Sequence, residues 1–214
     1  MDNNLSGHLP EPFLGSSATA SGEITRRRLR GGGFRRIFRD VYVLASEPDS
    51  HELRCRAAAL IAPAGAVITG RSAATLHGVA LAHPEDPVQL VIPERARFHH
   101  RAGLDVQRRP LRAGEAEPWQ QVAIATPLRL GLDLLLGRGL MRGVADLDMA
   151  VRAGLVDLDE LRASVRRRQR LNRLRAAGWR VVFVTAERMH ADRSDIAWEV
   201  RAALTQRLAS VSTF

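Results

Sequence analysis

The sequence predicts an α+β protein, and three observations carry that prediction. Within 18–46 a capped helical stretch, a glycine run and a β-branched stretch follow one another. Over 51–161, short apolar stretches of strand length alternate with helices that carry explicit start and stop signals. Over 162–214 an arginine-saturated helix leads through Gly178-Trp179 into a short apolar strand at 180–185 and a closing helix. Ahead of these, 1–17 holds Pro10, Pro12 and Gly15 without periodicity and reads as a loose arm.

Thr25 is the expected N-cap of a short helix through Arg30, because its hydroxyl can accept a free N–H of the first turn. Gly31-Gly32-Gly33 ends that helix, since glycine costs about 1 kcal/mol per residue relative to alanine. Residues 34–38 read as a further helical turn and Val41-Tyr42-Val43 as a strand. Helix, turn, helix and strand is the order of a winged helix-turn-helix, here shortened and degenerate.

In the middle, a helix over 52–62 and a second from about Ser72 precede strands at 88–92, 104–108 and 122–125. Thr126-Pro127 opens a helix through Leu136, an N-cap followed by a residue with preset φ and no N–H to satisfy. Gly137 and Gly139 stop it. The next helix, over 140–153, ends at Gly154, and Leu140, Val144, Leu147 and Val151 mark its expected inward face. Asp157 with Glu160 makes a capping box for a final long helix. There Leu158, Leu161 and Val165 share a face, but six residues from Val165 to Leu171 turn a helix by about 600°. Leu171 and Leu174 are therefore displaced: either two neighbours cover one helix, or 166–170 is a seam between helices of separate origin.

A chain of 214 residues, 45% apolar, can bury a sizeable core. Its apolar runs, around 57–62 and 128–136, fall short of the roughly 20 residues that cross a bilayer, and the N-terminus has neither the basic head nor the apolar segment of a secretory signal. The single cysteine, Cys55, excludes an intramolecular disulfide and suits a reducing cytoplasm. The net charge of +9 comes from arginine alone, because the chain has no lysine. That removes Schiff-base chemistry, the phosphate-loop lysine and the lysine of an Asp-Glu-Lys nuclease triad. GC-rich coding also writes such a composition, but the arginines cluster. One group is Arg26, Arg27, Arg28, Arg30, Arg35, Arg36 and Arg39; the other is Arg162, Arg166, Arg167, Arg168, Arg170, Arg173 and Arg175. The guanidinium fork donates two hydrogen bonds to one phosphate, so both groups are candidate nucleic-acid contacts.

Other constellations carry less. Asp146, Asp148, Asp157, Asp159 and Glu160 form the densest acidic group, but residues two apart face different sides of a helix, and acids at a helix start are explained by its dipole. Arg129 and Asp133, four apart, pair most simply with each other. His51 and Cys55 share that spacing without the further paired ligands of a zinc site. Ser72 and His77 lack a nucleophile-elbow context, and His77 is expected to support the local turn. Trp119, Trp179 and Trp198 are too dispersed for a base-stacking platform. No metal or other cofactor is expected.

The segment GEITRRRLRGGGFRRIFRDVYVLA resembles the N-terminal module of abortive-infection (AbiEi-type) antitoxin-like proteins, through Thr25-Arg26, Leu29 and Val41-Tyr42; the triple glycine departs from that pattern. The resemblance continues through ITGRSAATLHGV, VQLVIP, ATPLRLGLDLL and ADLDMAVRAGLVDLDELR. It implies a DNA-binding or DNA-binding-derived module at 18–46, an antitoxin-like domain at 51–161, and a nucleotidyltransferase-like toxin as partner. RRRQRLNRLRAAGWRVVFVT is similar to the ending of the very-short-patch-repair-like endonuclease domain, which has a restriction-endonuclease-like fold. That domain's metal site needs a Glu-x-Asp-Gly strand, which this sequence does not contain, so no catalytic residue carries over and 162–214 reads as a helix-strand-helix remnant. The expected function is DNA-binding and regulatory. The alternatives are a divergent Mg²⁺-dependent endonuclease with a rebuilt or partner-supplied site, and a decayed gene product.

Overall fold

The computed structural model describes residues 12–99, 101–137 and 139–176, together with 198, 201 and 202. The chain divides into two compact units, Met1–Leu161 and Arg162–Phe214. Helices and two sheets make the first unit mixed α and β, in agreement with the α+β expectation.

The chain orders earlier than its sequence suggests. Instead of a loose arm to residue 17, Phe13–Leu14 is a strand (β1) and Gly15–Ala20 a helix (α1). The physical reason is Phe13, which is buried with Ala18 and Ile24 against Leu29, Phe34 and Tyr42. Thr25 then caps Arg26–Leu29 (α2) as expected, its Oγ1 accepting the Arg28 N–H at 3.2 Å. Phe34–Phe38 is not a helical turn but a strand (β2) paired antiparallel with Val41–Leu44 (β3). Its Phe-Arg-Arg-Ile-Phe pattern places large side chains on a half-buried pleated surface, which outweighs the helical tendency of arginine. The sheet order is β1-β3-β2.

The second sheet has five strands. His51–Ala59 (α3) is capped by Ser50, whose Oγ accepts the Leu53 N–H at 3.1 Å. Val67–Ile68 (β4) and Gly70–Leu76 (α4) follow, then Val88–Ile92 (β5), Leu104–Arg108 (β6), Ala116–Trp119 (β7) and Val122–Ala125 (β8). The sheet order is β6-β5-β4-β8-β7: β4 pairs parallel with β8 and antiparallel with β5, β5 pairs parallel with β6, and β7 pairs antiparallel with β8. The strands at 88–92, 104–108 and 122–125 lie where the sequence puts them. β4 and β7 were not legible: two residues carry no period, and Pro118 argues against a strand except at an edge, where β7 is. Leu53, Ile68, Leu90, Ile92 and Leu130 are fully buried between sheet and helices, each worth roughly 1.5–3 kcal/mol of burial.

Pro127–Leu135 (α5) begins at Thr126-Pro127, although the Thr126 hydroxyl donates to Glu115 O at 3.3 Å rather than capping its own helix. Leu140–Arg152 (α6) turns a different face inward from the one expected. Gly143, Asp146, Leu147 and Ala150 are buried, whereas Val144 is half exposed. Gly143 rotates the helix, because its missing Cβ is what lets α6 approach α5: a methyl there would stand 2.5 Å from Leu134 O.

Leu158–Ala176 (α7) runs without interruption through 166–170, and its covered stripe is continuous. Leu161, Ser164, Val165, Arg168 and Leu171 follow at steps of three or four or less, with Ser164 and not Val165 the more covered residue. Seven residues from Ser164 to Leu171 bring the helix back to within about 20°, so Leu171 continues the Ser164 side of the stripe, while the division into two units falls between Leu161 and Arg162. The expected Gly178-Trp179 turn and the strand at 180–185 lie outside the described residues. So does the closing helix except for Trp198, Arg201 and Ala202, which are helical. No described helix is long and apolar enough to cross a membrane.

Candidate functional site

The N-terminal arginine group is built by a small apolar cluster that faces its polar residues outward. Leu29 turns into the Phe13, Ala18 and Ile24 cluster, which leaves Arg26, Arg27, Arg28 and Arg30 exposed around a helix with no acidic residue in its first turn. Arg36 and Arg39 are exposed on the β2–β3 hairpin. Arg35 is committed elsewhere: its guanidinium donates to Glu47 O at 3.1 Å and Asp49 Oδ1 at 3.4 Å.

Asp40 holds the hairpin tip to α1. With φ of 68°, it presents its carboxylate to Ser16, accepting the backbone N–H at 2.9 Å and the hydroxyl at 2.5 Å, while Asp40 O accepts the Gly15 N–H at 2.9 Å. Gly15 is required by this approach, since a Cβ would meet the Tyr42 ring at 2.7 Å and Leu29 Cδ2 at 2.8 Å. The same tip is anchored on its other side where Phe38, the last residue of β2, packs under the Arg54 guanidinium, 5.7 Å from ring centroid, and against Gly103.

The second group follows α7. Asp157 Oδ1 accepts the N–H groups of Asp159 and Glu160 at 2.8 and 2.9 Å, which starts the helix as the capping box predicts. Arg162, Arg166, Arg167, Arg170 and Arg173 are exposed, and Arg168 takes a half-buried position in the covered stripe. Of the ten candidate contact residues, Arg35 and Arg168 are thus the two whose side chains are partly withdrawn from solvent.

The segment 69–78 is a hub of buried polar contacts. Thr69 Oγ1 donates to Asp133 Oδ2 at 2.5 Å, and Asp133 also receives Arg129 Nε at 2.8 Å and Arg109 Nη1 at 3.3 Å. Arg129 reaches on to Glu115 Oε2 at 2.6 Å and Pro110 O at 3.1 Å. Burial opposes the Arg129 charge, but the hydrogen bonds and charges of Asp133 and Glu115 outweigh it and hold its pKa above the ordinary value. Gly70, at φ of 57°, clears the Gln89 carboxamide, whose oxygen accepts the Arg71 N–H at 2.7 Å. Arg71 spans Asp86 at 2.9 Å, Asp146 at 3.3 Å and the Leu81 carbonyl. Burial pushes the Asp146 carboxyl up against the opposing pull of Arg71 and Arg142. Asp86 is lowered, because the His83 N–H, Arg71 and Arg142 together outweigh its burial.

A cavity of about 590 Å³ opens beside this hub, with Arg71, Asp86, Asp105, Arg108, Arg142 and Asp146 among its walls. Both signs of charge line it, and several walls neutralise one another, so it is not shaped for phosphate. The sequence signalled neither this cavity nor the roles of Thr69, Asp86 and Gln89.

Ser72 pairs not with His77 but with His51, Oγ to Nε2 at 2.8 Å, while His51 Nδ1 lies 3.1 Å from His83 O. With Nδ1–H donated to the carbonyl, Nε2 accepts the Ser72 proton, and Ser72 Oγ accepts the Gln89 N–H at 2.9 Å. The triad-like pair joins α3, α4 and β5, and Ser72 has no exposed surface through which a substrate could reach it. His77 bonds Ala125 O at 3.0 Å, tying α4 to β8 rather than supporting its own turn. Burial pushes the Cys55 thiol up to about 12, against a hydrogen bond to Ser72. Among the described residues no group of three or more His, Cys, Asp or Glu side chains is placed to hold a metal ion. Asp146 and Asp148 face apart, one paired with Arg71 and the other with Arg152 at 3.0 Å.

No protein-family model, curated protein or solved structure matches this chain.

Proposed function

We propose that the chain binds double-stranded DNA as a regulatory protein of the AbiEi antitoxin-like type that its sequence resembles, with an endonuclease-like C-terminal portion lacking catalytic carboxylates. The observation that carries this reading is the N-terminal module. It runs strand, helix, helix, hairpin, with β1 paired to β3, and exposes Arg26, Arg27, Arg28 and Arg30 on α2 beside Arg36 and Arg39 on the hairpin. This order and pairing agree with a winged helix-turn-helix in which α2 stands in the recognition position and β2–β3 is the wing. A helix of 4 residues has little reach into a major groove, so phosphate contacts dominate and base readout is slight. Cytoplasmic DNA is the partner this implies, and a nucleotidyltransferase-like toxin is the protein partner the resemblance adds.

Fluorescence anisotropy with a labelled duplex tests the reading. Affinity falls as salt rises from roughly 50 to 200 mM, with a log-log slope of about −0.9 per phosphate neutralised. Replacing Arg26, Arg27, Arg28 and Arg36 with Gln flattens that slope. Absence of binding at low salt, or a slope unchanged by the substitutions, overturns it. Incubation with plasmid and Mg²⁺ or Mn²⁺ leaves the DNA uncut; EDTA-sensitive cleavage that survives repurification shifts the reading to the endonuclease alternative.

A further inference from the structure

Strand β6 closes one edge of the five-stranded sheet, and among the described residues no strand pairs with its outer side. Its register with β5 is unbroken from Val88↔Leu104 to Ile92↔Arg108, and the Val88 N–H donates to Gly103 O at 2.9 Å. Backbone groups of alternate residues in a strand face the same neighbour. Gly103, Asp105 and Gln107 therefore address β5, while Leu104, Val106 and Arg108 point their N–H and C=O groups away. The Leu104 N–H bonds Arg101 O at 3.2 Å; among the described residues the N–H and C=O of Val106 have no such partner outside the ladder. The opposite edge, β7, is protected by Pro118, which lacks a donor. β6 has no proline and no bulge.

We infer that β6 pairs antiparallel with β6 of a second copy of this chain, about a two-fold axis through Val106. The outward-facing residues then form the hydrogen bonds: Val106 exchanges both with Val106 of the other copy, and Leu104, its N–H held by Arg101 O, accepts through its C=O from the Arg108 N–H. Asp105 lies opposite Gln107, whose amide can donate to the carboxylate. No like charges stand directly opposite, the arrangement that destabilises cross-strand pairs, and the strand complements itself as a two-fold interface requires. An axis through Arg108 sets two guanidinium groups face to face. An axis through Asp105 or Gln107 uses residues already bonded to β5.

The mass of the full chain in solution, read by light scattering on a sizing column, tests this independently of DNA binding. The expected mass is twice 23.6 kDa, falling to the single-chain mass in Val106→Pro, which removes the central donor. Because proline can also disturb the fold, Val106→Cys provides a second readout. Hydrogen-bonded antiparallel partners lie about 5.5 Å apart at Cα, within disulfide reach, so mild oxidation links two copies. Arg108→Cys, separated from its symmetry mate by roughly 14 Å, does not link, and buried Cys55 does not compete. A monomer at all concentrations overturns the inference, whether β6 is then a solvated edge or takes an extended segment of another protein. A dimer in which Val106→Cys fails to link, or links no better than Arg108→Cys, overturns it equally by moving the interface elsewhere.

Discussion

At the scale of single residues, buried charge decides the largest effects. Arg129 and Asp133 have side chains only 3% and 5% exposed, and removing Arg129 takes away the closest cation to Asp133, leaving it with Thr69 and the longer contact to Arg109. Arg129→Met is expected to cost about 3–5 kcal/mol, seen as a lower urea midpoint, whereas the exposed pair Arg152–Asp148 is worth less than about 1 kcal/mol. An Arg152→Ala loss as large as that of Arg129→Met would contradict this ordering. His51 makes stability depend on pH. Burial holds its imidazole below the ordinary value, so the unfolded chain takes up a proton that the folded chain refuses. Its contribution is fully present above about pH 6.5 and is lost as pH falls toward the depressed folded value, at up to about 1.4 kcal/mol per pH unit. Urea midpoints at pH 7.5 and 5.5 should therefore differ more in the wild type than in His51→Gln; an equal difference in both removes His51 as the cause. Asp146 shifts the opposite way, burial raising its carboxyl, so the folded chain takes up its proton first and the contribution has the sign opposite to that of His51. Sequence spacing gave the Arg129–Asp133 pair because i,i+4 is a local relation. Ser72–His51 and Thr69–Asp133 were not legible, because their partners lie 21 and 64 residues apart and only the fold unites them.

At the scale of elements, local signals located most of the structure and tertiary packing moved the rest. Thr25, Asp157 and Thr126-Pro127 mark their helix starts because caps and proline act within one turn. The strands at 88–92 and 104–108 stand out because they combine β-branched residues with flanking turn chemistry. Residues 34–38 misled because arginine favours helices, while Phe34 and Phe38 are claimed by a core the sequence alone does not display. The face of α6 misled for a related reason: Gly143 is invisible to a hydrophobic pattern, yet it fixes the helix's rotation by close approach. Gly143→Ala should push α6 from α5 at a cost of about 1–3 kcal/mol, as overpacking does, although alanine is the better helix former by about 1 kcal/mol. A gain in melting temperature would show that the two helices are free to separate.

At the scale of the whole molecule, arginine clustering was legible from the positions along the chain, but which arginines face solvent was not. Arg35 and Arg168 are partly covered, so the second basic group is best tested at Arg166, Arg167, Arg170 and Arg173. Replacing these four with Gln keeps helix propensity and should weaken DNA binding while flattening its salt slope by about 0.9 for each phosphate no longer neutralised, with the melting transition retained. Unchanged binding would reduce α7 to a solvated face. Cys55 adds a built-in clock. It is the only cysteine in the chain, completely covered beneath α4, and its thiol is held near 12. An aromatic disulfide reagent can therefore label the native protein only during excursions that lift α3 away. Labelling rates against urea concentration then read the lifetime of the closed hub in seconds or hours, with no probe added to the molecule.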